Sequence, residues 1–244
     1  MSRFLVAITV SLIAVSCSKN SESDDLSQAQ ACLDNVPLGD YSAADACLPM
    51  VKDYTSQQAM ILRCSIIITS GGLMEDQIDK AYNAFTDSSQ TNKTAAYMAA
   101  LSLYYPTIDD GYTKALQAQP YCNATGINGY KYLASLIVSG TFMSKVAGSI
   151  DITDPTAAQT AITNLVNDCV TTPTPSCTNN IASLGSSVTT LAQSYCSTSG
   201  ADANVCTQVN SAVSAAGDDP STVGKAMLCY LNHTTYSPTD GLCH

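Results

Sequence analysis

The chain of 244 residues has no tryptophan, three phenylalanines, two histidines and a charged fraction of only 12%. Each shortage excludes a chemistry. Glutamate occurs only at Glu22 and Glu75, so a Glu pair for glycoside hydrolysis is not available, although aspartates remain. With His233 and His244 alone, and no C-x-x-C pair, the closely spaced Cys and His ligands that a zinc site needs are missing. Cys243-His244 is not the C-x-x-C-H of haem attachment. Ten basic residues against 20 acidic ones give a net charge of -10, which repels phosphate backbones and excludes nucleic acid as a partner. There is likewise no basic face for anionic headgroups. No G-x-S-x-G elbow, phosphate loop, G-x-G-x-x-G or H-E-x-x-H is present. The expectation is therefore no catalytic residue, no metal ligand and no cofactor.

Cysteine, by contrast, is abundant, with eleven in the chain. Its setting is read from the N-terminus. Arg3 gives a positive start, Phe4 to Val15 an unbroken apolar run, and Ala14-Val15-Ser16 a small-residue exit, followed at once by Cys17 and SKNSESDD. That is the tripartite pattern of a secretory signal over residues 1–16. The run is too short for a hydrocarbon core that needs about 20 helical residues, so a retained span is disfavoured. Ile13-Ala14-Val15-Ser16-Cys17 resembles the lipobox of bacterial lipoproteins. The resemblance implies cleavage before Cys17, lipidation of its thiol and permanent attachment to a bilayer. Ser18 after the cysteine implies the outer membrane by the sorting habit of that class. The Ala14-x-Ser16 exit also suits an ordinary signal peptidase, which would release a soluble chain.

Setting Cys17 aside leaves ten cysteines, which in an exported chain oxidise to disulfides. Their spacing suggests four local pairs, Cys32 with Cys47, Cys169 with Cys177, Cys196 with Cys206 and Cys229 with Cys243, leaving Cys64 with Cys122.

Residues 17–28 are small, polar and acidic, and read as a flexible tether. Beyond them apolar residues follow helical spacing, so the chain is expected to be all-α. Ser56–Thr69 reads as a buried helix stopped by Gly71-Gly72, Thr91–Tyr105 as a helix ended by Pro106, and Ile127–Ile150 as a long helix with a break near Gly140. Further helices are expected over Met74–Phe85, Thr156–Asp168, Asn179–Tyr195, Ala203–Ala216 and Ser221–Asn232, with Thr171–Ser176 as a stiff loop. Gly39-Asp40-Tyr41, Gly71-Gly72 and Gly111-Tyr112 recur at roughly 35-residue intervals, the unit of a helical-hairpin repeat. Gly39-Asp40-Tyr41 followed by Ala44 resembles the turn into the second helix of a tetratricopeptide repeat. The resemblance implies a short, disulfide-stapled solenoid of antiparallel hairpins over residues 29–150, with residues 151–244 as a helical region packed on it.

Seven tyrosines fall between residues 97 and 132. Tyrosine joins apolar area to a hydroxyl that tolerates water, which suits a groove, and Tyr97, Tyr104, Tyr105, Tyr112 and Tyr130 are the candidates. The alternative is that these rings fill seams between helices. Taken together the sequence points to a noncatalytic, lipid-anchored envelope protein that presents a helical-repeat surface to a protein partner. A receptor for a small apolar ligand, as in transporter-associated lipoproteins, and an enzyme built on Asp and Ser groups are the other readings.

Overall fold

Polar side chains placed just ahead of apolar stripes set where the helices begin. In the computed structural model, which describes residues 21–198, 201 and 203–244, Ser56 accepts the Ala59 N–H at 3.2 Å and Asn92 that of Ala95 at 3.0 Å. Thr107 caps in the same way through Asp110 at 3.2 Å, and Asp219 through Thr222 at 2.8 Å. Each bond satisfies an amide that a helix start leaves open. The helices are α1 (Glu22–Asp34), α2 (Tyr41–Asp45), α3 (Gln57–Ser70), α4 (Glu75–Thr86), α5 (Lys93–Ala100) and α6 (Ile108–Ala124). They continue with α7 (Asn128–Ala147), α8 (Ala157–Val166), α9 (Pro175–Ser194), α10 (Ala203–Ala216) and α11 (Pro220–Leu231). The helical expectation holds apart from one short antiparallel pair, β1 (Tyr236–Ser237) with β2 (Leu242–Cys243), in which Tyr236 faces Cys243.

Helical hairpins are present as α4–α5, α6–α7 and α10–α11, and the main core runs from α3 to α11 around Phe142, Ile67, Leu136 and Leu184. A smaller core lies under α1, where Ala29 and Cys47 meet Leu62 and Ile66 of α3. The longer-range packing pairs α3 with α6, α7 with α9 and α9 with α11. This order does not confirm a tetratricopeptide-like succession, in which hairpins stack one after another along the chain. Small residues allow the closest approach. A Cβ added at Gly185 would lie 1.7 Å from the Pro220 carbonyl oxygen, so α9 and α11 meet backbone to backbone.

Four local expectations need correction. The tether is helical from Glu22 onward: Ser21 accepts the Asp24 N–H, Glu22, Asp24 and Asp25 suit the positive helix end, and Cys32 is tied to Cys47. The helix expected over Thr91–Tyr105 stops at Ala100, because the chain beyond finds better partners. There the Leu103 N–H donates to Thr141 Oγ1 at 2.9 Å, and the Tyr104 and Tyr105 N–H groups donate to the Gly71 carbonyl at 3.0 and 3.1 Å. Helix α7 runs unbroken through Gly140, whose missing side chain makes room for the Met98 carbonyl. Finally, Thr174 caps α9 and Pro175 opens it, so the expected loop is partly helix, as suits proline in a first turn.

Candidate ligand-binding cleft

Helix α4 carries Ile78, Ala81, Tyr82 and Phe85 at i, i+3, i+4 and i+7 spacing, which places them on one face. Only part of that face is covered. Ala81 is buried, while Ile78 and Tyr82 remain 50% and 66% exposed. Between this face and the neighbouring helices lies a cleft of about 400 Å³, walled also by Tyr97 of α5, Leu101 just after it, Tyr132 and Leu133 of α7, Tyr195 after α9 and Val205 of α10. That volume is in the range of small-molecule sites.

The cleft is an aromatic chamber. The rings of Phe85 and Tyr97 sit 5.5 Å apart and tilted, and those of Tyr132 and Tyr195 stack at 4.0 Å. Among the described residues no charged side chain lines it. Burial pushes the Tyr132 hydroxyl far above the ordinary tyrosine range, and its neighbours Tyr97 and Tyr195 push in the same direction. Burial also raises Tyr97, opposed by its hydrogen bond to Tyr132. Both shifts favour the protonated, neutral form of Tyr97 and Tyr132. Such a site offers flat apolar faces with a few hydroxyls for orientation.

No family model, curated protein or solved structure matches this chain. The site must accordingly be read from its own chemistry.

The structure disperses the five tyrosines proposed as a groove. Tyr97 alone lies in the cleft. Tyr104 and Tyr105 gather around Tyr41, at ring distances of 6.2 and 5.0 Å, and the Tyr104 hydroxyl accepts from Gln77 at 2.9 Å. Tyr112 is 3% exposed in the core beneath Lys145, and Tyr130 packs half-buried against the same core. Tyr112 and Tyr130 pack into the core between helices, whereas Tyr104 stays 43% exposed and lines a second cavity. The cleft residues missed from sequence are Ile78, Tyr82, Phe85, Tyr132 and Tyr195. The α4 stripe was readable as spacing, whereas Tyr195 arrives by tertiary folding.

All five cysteine pairs form as spacing suggested: Cys32–Cys47, Cys64–Cys122, Cys169–Cys177, Cys196–Cys206 and Cys229–Cys243. Cys17 and the signal segment lie outside the described residues. Among the described residues no group of three or more His, Cys, Asp or Glu could hold a metal ion, and no helix is long and apolar enough to cross a membrane. Asp219 is spent on capping α11, and Asp109 pairs with Lys145 at 3.0 Å. Asn92, which heads a glycosylation-like triplet, is buried and donates to the Leu231 carbonyl at 2.7 Å, so its amide serves the fold.

Proposed function

We propose that the chain is a noncatalytic, lipid-anchored binding protein of a bacterial envelope, facing from the outer membrane, that takes a small, largely apolar, ring-bearing ligand into the aromatic cleft. The observation that carries this reading is the chamber itself: five rings around about 400 Å³, with no charged side chain among the described residues that line it. An uncharged wall of that kind gains from burying apolar surface at roughly 25 cal/mol per Å² and offers little to an ion. The anchor is supported by the leader pattern and by the cysteine arithmetic, since ten cysteines pair and Cys17 is left for the lipid. A protein-binding surface is the second reading, favoured by the exposure of Ile78 and Tyr82 at the rim, which a partner's side chain would cover.

Titration with the neutral fluorophore N-phenylnaphthylamine tests the first reading. Saturable binding is expected, at least tenfold weaker in Tyr82→Ser and in Ile78→Ser, with melting unchanged because both side chains are exposed. Equal binding by wild type and both variants would sink the ligand reading and leave the protein-partner one. For the anchor, the intact mass of protein taken from membranes should lack Met1–Ser16 and carry a lipid increment; a plain Cys17 would refute it.

A further inference from the structure

A second cavity, of about 420 Å³, opens where a different flank of α4 meets the ends of α5 and α7 and the start of α6. Its chemistry is unlike that of the aromatic chamber. The chain has twice as many acidic as basic residues, yet this wall holds two lysines, Lys80 and Lys145, and neither an aspartate nor a glutamate. The carboxylates that accompany the lysines stand outside it: Asp109 is 3.0 Å from Lys145 and 75% exposed, and Asp76 is 3.2 Å from Lys80.

Lys145 is held in place. Its ammonium lies 4.6 Å from the centre of the Tyr112 ring and donates to Asp109, which uses one of its three N–H groups. The buried hydroxyls of Ser102 and Ser144 bond to each other at 2.8 Å; one donates its proton in that bond, and the other keeps its own for a further acceptor oxygen. Ile108, Ile150 and Ile152 give the wall an apolar part, beside the polar Gln77, Tyr104 and Ser149. Because each lysine already has one carboxylate neighbour, the site suits a single negative charge better than a phosphate dianion.

We propose that this cavity is a binding site for a small monocarboxylate with a short apolar body, its carboxylate on Lys145 and the one serine hydroxyl left free to donate, and its body against the isoleucines. It is separate from the aromatic cleft and stands or falls independently of the ligand proposed there. Calorimetric titration of the full mature chain with hexanoate tests it, with hexan-1-ol as the neutral isostere. Hexanoate should bind at one site, at least tenfold more tightly than hexan-1-ol. Lys145→Met should weaken it at least tenfold, Lys145→Arg should retain most of it, and Tyr82→Ser should leave it unchanged. Thermal melts of the variants, expected to match wild type because Asp109 remains solvated, separate lost binding from lost folding. The proposal is overturned if hexanoate fails to bind, if hexan-1-ol binds equally well, if folded Lys145→Met binds like wild type, or if Tyr82→Ser is the variant that loses hexanoate.

Discussion

Gly140→Ala should lower the melting temperature by about 6–12 °C, whereas Gly129→Ala in the same helix should leave it unchanged or raise it. Alanine is the better helix former by about 1 kcal/mol, so propensity alone would stabilise both variants. Space decides otherwise. A Cβ at Gly140 would lie 1.8 Å from the Met98 carbonyl oxygen and 2.7 Å from its carbon, while at Gly129 nothing stands within 4 Å. The obstacle is backbone, which cannot rotate away as a side chain would, so α5 and α7 must move apart around buried Phe142 and Met143. Overpacking of this kind costs about 3 kcal/mol or more, and a domain of this size loses about 2–4 °C per kcal/mol. Calorimetric melting of both variants checks the prediction. A stabilised Gly140→Ala would mean that α5 and α7 do not meet at this point.

Removing the Cys64–Cys122 bridge should cost more than removing Cys169–Cys177. The first spans 58 residues and joins α3 to α6, and the second spans eight. In the chain-entropy account a loop of the longer span restrains the unfolded state by about 4 kcal/mol and the shorter by about 2.5. Both members of the longer bridge are fully buried in the core. Cys169 and Cys177 are buried as well, so alanine adds a similar loss of packed sulfur at either bridge, each atom on the scale of a buried methylene, about 0.8 kcal/mol, and loop length sets the ranking. Denaturant unfolding of the two double variants, Cys64→Ala with Cys122→Ala and Cys169→Ala with Cys177→Ala, gives the ranking. Equal losses would contradict it.

Local signals in the sequence were sufficient for the helices and the bridges. Ser56 and Asp219 announce helix starts because a cap is a contact within four residues, and four of the five disulfides join cysteines at most 15 residues apart. What failed depends on distant partners. Leu101–Tyr105 reads as helix, but Thr141 and Gly71 offer its amides bonds that no local pattern reveals. Ser23 to Gln28 look like a tether because they are polar and small, yet α1 folds on Ala29 and the Cys32 bridge further along. The cleft is the extreme case. Tyrosine density pointed to residues 97–132, while the chamber takes only the rings of Tyr97 and Tyr132 from that stretch and its other rings from Tyr82, Phe85 and Tyr195. Density along a chain cannot separate rings that fill seams, such as Tyr112, from rings that line a space.

Photolabelling tests the central claim most directly. A neutral benzophenone-bearing aromatic compound, activated on the full mature chain, would react with whatever lines its site, and reduction followed by peptide mapping would locate it. Label concentrated on the peptides of α4, from Glu75 to Thr86, and on the one containing Tyr132 is the predicted result, with loss of label in Tyr82→Ser. Label spread in proportion to exposed surface, or gathered in the groove between α1 and α3 beside Leu26 and Ile61, would contradict the assignment of the aromatic cleft as the binding site.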